Sequence, residues 1–186
     1  MTVQYPKRIC CLTEETTEVL YSLGEEDRIV GISGFTVRPK RARKEKPKVS
    51  AFIDADIPKI ESLNPDLILA FSDIQADITR ELVARGHTVF TFNQRTIAEI
   101  LNTIALIGSV VGRQADAEAL AESLAENVER VRVESADSSW RPKVYFEEWP
   151  DPMISGISWV SELIEVAGGE DIFVEKRSGS LAKDRF

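Results

Sequence analysis

The sequence predicts an α/β fold: a parallel-sheet lobe, a long linking helix and a second α/β lobe that is truncated. Three observations carry this. Short apolar runs alternate with helix-patterned stretches through the first 112 residues. The runs are almost continuously apolar, as strands buried on both faces are. Between about Ala115 and Val133, apolar residues return at helical spacing over a length that strands do not reach. The expected divisions are 1–112 for the first lobe, 113–135 for the linking helix and 136–186 for the partial second lobe.

Ile9 to Leu12 is the first apolar run. Thr13 then offers an N-cap, with Glu14 and Glu15 where the positive end of a helix dipole favours carboxylates, and Gly24 ends that helix. Ile29 to Ile32 is the second strand, followed by a long irregular stretch. Ile57 to Leu63 is a short helix stopped by Asn64-Pro65-Asp66, and Leu67 to Ala70 is a strand. Ser72 and Gln75 have capping-box spacing and open a helix to about Arg85, before Gly86. Val89 to Phe92 is the fourth strand; Thr96 and Glu99 form another capping box, for a helix reaching Val111 before Gly112. The helix from Ala115 to Val133 is roughly 28 Å long at 1.5 Å per residue. Beyond a loop at 135–142, Lys143 to Glu147 reads as a strand and Trp159 to Ala167 as a helix, with Ser158 as its cap and Gly168-Gly169 as its stop.

The chain has 186 residues, 43% of them hydrophobic, and its 23 basic and 31 acidic side chains leave a net charge of −8. Such a balance disfavours general binding to nucleic acid or anionic membranes. No strand is followed by G-x-G-x-x-G or a P-loop, which disfavours nucleotide binding. Cys10 and Cys11 are adjacent within an apolar run and read as buried free thiols rather than a disulfide or zinc pair. His87 is the single histidine, so a histidine-rich metal site is excluded and no metal is expected. No apolar run approaches the ~20 residues of a membrane span. Met1 to Arg8 holds no apolar segment of the export-signal kind, and the chain as written is expected to be cytoplasmic.

In parallel sheets, ligands sit outside the carboxyl ends of the strands. That rule selects Thr13–Thr16, Ser33–Arg38, Phe71–Gln75 and Phe92–Arg95. Ser72 falls in one of these segments, and Asn93, Gln94 and Arg95 are read either as turn residues or as polar lining. Trp149 lies in Glu147-Glu148-Trp149-Pro150-Asp151-Pro152, where two prolines prevent a helix and hold the tryptophan on a loop. Glu147, Glu148 and Asp151 could serve as general acids or bases, but carboxylates on loops are usually solvated, and no catalytic residue is assigned.

Arg8-Ile9-Cys10-Cys11-Leu12 with Thr16-Thr17-Glu18, then Asp27-Arg28-Ile29-Val30-Gly31-Ile32-Ser33, the run from Lys59 to Ala70, and Gly168-Gly169-Glu170-Asp171-Ile172-Phe173 resemble the cobalamin and ferric-siderophore substrate-binding proteins of ABC importers. The resemblance spans nearly the whole chain. It implies two α/β lobes joined by one rigid helix, no enzymatic activity, and a small-molecule ligand in the cleft between the lobes. In vitamin B12-binding members, aromatic side chains hold the corrin ring, a broad and mainly apolar disc. Matching positions here are Phe52 and Phe71, with Trp149 near a second-lobe aromatic, and Phe35 and Arg38 where that family has tyrosines. Phe52 and Phe71 are equally readable as core residues. Glu148 and Ser72 complete the expected ligand set, and cobalamin or a related corrinoid is the expected ligand. Arg38 departs from the pattern; a cation there suits a phosphate or carboxylate, which keeps ferric siderophore or haem as alternatives. A cytoplasmic corrinoid-handling protein or enzyme on the same scaffold is a further alternative.

The resemblance also implies an ABC permease partner, docked through an acidic residue on each lobe. Pro58 occupies the first-lobe position, with Glu61 one turn away as its substitute. Arg38 to Lys48 has seven basic residues and one acidic residue, leaving −14 on the rest of the chain. It contains Pro39 and Pro47 and no aromatic residue, and is expected to be a solvated loop with Arg38 turned inward. A second lobe with one strand and one helix would have unpaired edges, so self-association or a missing C-terminal portion is expected to complete it.

Overall fold

The run Ile9 to Leu12 is fully buried, and its first three residues form β1 (Ile9–Cys11). A computed structural model describes residues 4–186; the first three residues of the segment read for an export signal lie outside it. After β1 come α1 (Glu14–Ser22), β2 (Ile29–Ser33), α2 (Ala42–Glu45), β3 (Lys48–Ala51), β4 (Asp54–Ala55), α3 (Ile57–Ser62), β5 (Leu67–Phe71), α4 (Ala76–Ala84) and β6 (Val89–Phe92). Next are α5 (Ile97–Val111), α6 (Gln114–Ala136), β7 (Lys143–Val144), β8 (Glu147–Pro150), β9 (Met153–Ser155), α7 (Ser158–Val166) and β10 (Glu170–Asp171). Two compact units result. One runs to Asn93 and takes in Thr103–Glu118; the other combines Gln94–Asn102 with Ala119–Phe186.

The first unit is built on a six-stranded sheet in the order β4-β3-β2-β1-β5-β6. All neighbours are parallel except the β3–β4 hairpin. Ile9, Cys10 and Cys11 lie opposite Leu67, Ile68 and Leu69. Because successive side chains in a strand point to opposite faces, Cys10 and Leu12 join Val49, Ile68 and Ala70 against Ile57 and Ile60 of α3 and Leu82 of α4. Cys11 turns the other way, with the hydroxyls of Thr16 and Thr17 of α1 at its thiol. Both cysteines are free, and burial pushes both thiols up to about 12. On β2, a Cβ on Gly31 would come within 2.9 Å of a Val49 methyl and 3.0 Å of the Cys10 sulfur, so only glycine fits there.

The N-cap expected at Thr13 is not made through its side chain. Its hydroxyl donates to the Glu15 carboxylate at 2.7 Å, while Thr16 donates to the Thr13 carbonyl at 3.2 Å. The irregular stretch after β2 is largely ordered: α2, β3 and β4 occupy it. The basic run is therefore not a plain loop, since it contains α2 and the first residue of β3. By contrast, the capping box at Thr96 and Glu99 forms in full: Glu99 accepts from Arg95 and Thr96 N–H, and Thr96 Oγ1 accepts from Glu99 N–H. Those donors hold the Glu99 carboxyl below its ordinary range. Where α5 meets α6, Gly108 permits close approach; a Cβ there would overlap the Ala117 Cβ at 2.1 Å. Glu25 receives both Arg28 and Arg113, at 2.6 and 2.9 Å, and Arg28 also donates to the Val111 carbonyl.

The second unit corrects the expectation of a lone strand. β7 and β10 pair in parallel and β8 and β9 form an antiparallel hairpin. The strand expected over Lys143 to Glu147 is split between β7 and β8, and Trp149 sits on the hairpin rather than in a loop. Each of these four strands has one partner within the chain, so the lone, wholly unpaired strand is not found. Ser158 is the first residue of α7, not its cap; its hydroxyl donates to the Arg177 carbonyl at 2.9 Å.

Candidate functional site

The chain passes from β1 outward through β2 and β3, then crosses to the other side of β1 for β5 and β6. Loops after β1 and β5 therefore diverge, and the crevice at such a switch point is where open parallel sheets take ligands. Buried Gln75 reaches into the loops around it. Its Oε1 accepts from Phe71 N–H at 3.0 Å, and its Nε2 donates to the carbonyls of Phe52 at 2.7 Å and Leu12 at 3.3 Å. Ser50 Oγ also donates to the Leu12 carbonyl, at 2.9 Å.

Two of the expected ligand residues have unusual backbones. Phe52 has φ of +55° in the β3–β4 turn, and Ser72 has φ of +57° with ψ of −177° directly after β5. Both are conformations that L side chains adopt at a cost of order 1–3 kcal/mol, and they gather where a fold positions functional groups. Ser72 is held by its N–H, which donates to the Phe92 carbonyl, and by its Oγ, which accepts from Ile74 N–H.

Phe35 and Phe52 come together edge to face, with ring centroids 6.4 Å apart. They are 56% and 37% exposed, with Val37 and Ile53 beside them in sequence also exposed, so these strand-end loops present apolar surface. Phe35 and Phe52 are therefore not core residues, whereas Phe71 is half-buried at the end of β5. Ser72 and Asn93 line one open groove of about 390 Å³ with Asp73, Thr79, Arg80 and Thr91. Arg38 lies in a different groove with Glu18, Tyr21 and Arg41. Its guanidinium meets the Glu18 carboxylate at 3.2 Å on the surface rather than turning inward, so an anion there would compete with a carboxylate.

Gln94, Arg95, Glu148 and Trp149 belong to the second unit. The Arg95 N–H serves the α5 cap, and Gln94 Oε1 is buried without a hydrogen-bond partner among the described residues. Trp149 is 59% exposed, its indole N–H donating to the Asp151 carbonyl at 3.1 Å. The Glu148 carboxylate is already engaged: buried Arg185 meets both of its oxygens, at 2.9 and 2.7 Å. That carboxylate, one of the expected ligand groups, thus has a charged partner within its own unit. Glu61 is likewise shared, with Arg85 at 3.3 Å and His87 at 3.9 Å. Among the described residues, no group of three or more histidine, cysteine or carboxylate side chains could hold a metal ion.

Three loop-bridging side chains were not among the expected ligand residues. Gln75 closed one of the selected strand-end segments and read as half of a capping box, but that box does not form: Ser72 Oγ accepts from Ile74 N–H and Gln75 Oε1 from Phe71 N–H. Arg43 lay in the basic run, yet it donates to the Gly34 and Thr36 carbonyls at 2.6 and 2.8 Å and so braces the Phe35 loop. Arg185 had no local signal at all.

The periplasmic binding protein family matches residues 9–184. The chain belongs to that family. Members similar to it include the ABC transporter substrate-binding lipoprotein YvrC of Bacillus subtilis, 30% identical over 155 residues, covering 80% of this chain and 49% of that one. The vitamin B12-binding protein of Yersinia pestis is 28% identical over 179 residues, covering 94% of this chain and 62% of the relative. This chain thus spans about half to three-fifths of these relatives' length. Among solved members, the periplasmic vitamin B12-binding protein BtuF of Vibrio cholerae superposes with a TM-score of 0.80 at 24% identity, over 93% of this chain and 68% of that one. The family resemblance and the α/β class read from the sequence are both upheld.

Proposed function

We propose that this chain binds cobalamin or a related corrinoid, as part of the substrate-binding component of an ABC importer, and performs no chemistry on it. The observation that carries the reading is the exposed edge-to-face pair Phe35 and Phe52 on strand-end loops, in a chain similar to a vitamin B12-binding protein. Aromatic faces cover a broad apolar disc well, and the polar side chains of Ser72, Asp73 and Asn93 in the open groove suit its amide fringe. The lipoprotein name of the Bacillus relative supports a place outside the cytoplasmic membrane. It gives no support to the cytoplasmic location expected from the sequence. No helix among the described residues is long and apolar enough to cross a membrane. A permease partner follows from the same reading.

The test is calorimetric titration with cyanocobalamin, haem and ferrichrome. Cyanocobalamin is expected to bind near the micromolar range, about −8 kcal/mol, at least tenfold more tightly than the others. Tighter binding of haem or ferrichrome would replace the corrinoid with an iron chelate. Absence of saturable binding by all three below about 1 mM would remove the proposal.

A further inference from the structure

We infer that Gln75 is the positioning residue of the ligand face: its carboxamide holds Phe52 and the Phe71-Ser72 turn in place through hydrogen bonding, not through bulk. The inference rests on the corrinoid-binding reading for its functional consequence. Its structural content stands apart from that reading.

Gln75 is 1% exposed, yet its side chain makes three hydrogen bonds to three separate segments of the chain. Both Nε2 hydrogens are used, one on the Phe52 carbonyl and one on the Leu12 carbonyl. The orientation of the amide follows from chemistry. A flipped amide would set Oε1 against two carbonyl oxygens and Nε2 against the Phe71 N–H. The three contacts are not equivalent. Leu12 O keeps Ser50 Oγ as a second donor. The Phe52 carbonyl, in a residue at φ of +55°, takes the shorter bond from Gln75. A left-handed phenylalanine persists only where its surroundings over-determine it, and the buried amide is one such restraint. The opposite arm of the same amide holds the residue before Ser72, the second left-handed position. One side chain therefore restrains both strained loops beside the β1/β5 switch point.

The hydrogen bonds can be removed at nearly constant volume in the full chain. Gln75→Met and Gln75→Leu both lose all three hydrogen bonds at similar volume, and neither places a titratable group in the buried site. Hydrogen exchange without ligand is expected to accelerate at least tenfold at residues 50–56 in both variants. At residues 71–75 it is likewise expected to accelerate in both, because the acceptor for Phe71 N–H is gone. Cyanocobalamin affinity should fall at least tenfold in Gln75→Leu and in Phe52→Ala, and Gln75→Leu combined with Phe52→Ala should lose clearly less than the sum of the two single losses, the part that remains belonging to the Phe71-Ser72 arm. Additive losses in the double variant, or unchanged exchange at 50–56 in Gln75→Met, would overturn the inference. If Gln75→Leu does not fold, the Gln75→Met exchange pattern decides alone. If the unaltered chain binds none of the three probes, the functional reading fails while the exchange pattern still decides the role of Gln75.

Discussion

Replacing Arg185 by methionine tests how the hairpin carrying Trp149 is held. Arg185 is 3% exposed. Its Nε donates to the Ser155 carbonyl at 3.1 Å, one terminal nitrogen to the Gly179 carbonyl at 2.7 Å, and the other to Glu148. Ser155 Oγ returns a bond to the Arg185 carbonyl at 3.0 Å. Hydrogen bonds with a charged partner contribute roughly 1.5–3 kcal/mol each, and two of these reach buried or half-buried backbone. The Glu148 side chain is 40% exposed, so the ion pair itself adds about 1 kcal/mol or less. Methionine recovers part of the loss by filling the space. The expected net cost is about 3 kcal/mol, or roughly two decades in a local opening constant at 1.36 kcal/mol per decade. Native-state hydrogen exchange reads this directly: amides of β9 and residues 179–186 should exchange roughly 100-fold faster, while β1 and β5 amides are unchanged. Glu148→Gln should accelerate the same amides tenfold or less. Equal effects of the two substitutions, or exchange in Arg185→Met within twofold of the unaltered chain, would show that the buried guanidinium does not hold the hairpin.

Phe52→Gly should be more stable than Phe52→Ala by about 1 kcal/mol, because glycine accepts the left-handed backbone that alanine resists; urea midpoints measure this, and equal midpoints would contradict it. Gly108→Ala should cost about 3 kcal/mol, since the added methyl meets the Ala117 Cβ and the Arg113 carbonyl rather than a movable chain end. A thermal midpoint lowered by less than about 3 °C would count against that packing. The two thiols give a pH dependence of defined sign. Folded Cys10 and Cys11 stay protonated to about 12, against 9.0 for the ordinary thiol. Unfolded thiols ionise first, so stability is level below about 9 and falls as pH rises from there toward 12. Melting temperatures over that range should decline less steeply in Cys10→Ala/Cys11→Ala, and parallel curves would refute the assignment.

Much of the first unit was readable because its signals are local. Apolar runs at Ile9, Ile29, Leu67 and Val89 became β1, β2, β5 and β6, and Thr96 with Glu99 formed the cap that their spacing predicted. The stretch after β2 was unreadable for a physical reason. β3 and β4 are four and two residues long, and β3 is defined by pairing with Ile32 and Ser33 rather than by its own periodicity. The second unit hid its strands in the same way: β7 and β10 are two residues each and find one another across the whole of α7.

The candidate site divides along the same line. Sequence alone determined the α/β class, the family and the strand ends that carry Phe35 and Ser72, while Phe52 was marked by the family resemblance and its strand only by the structure. Each of those follows from periodicity, turn chemistry or motif order within a short window. Only the tertiary structure decided which side chains hold those loops. Gln75 bonds to residues 63 and 23 positions away, and Arg185 to a carboxylate 37 positions away. A buried polar group must find partners wherever the fold brings them, and no local pattern encodes which distant carbonyl that will be.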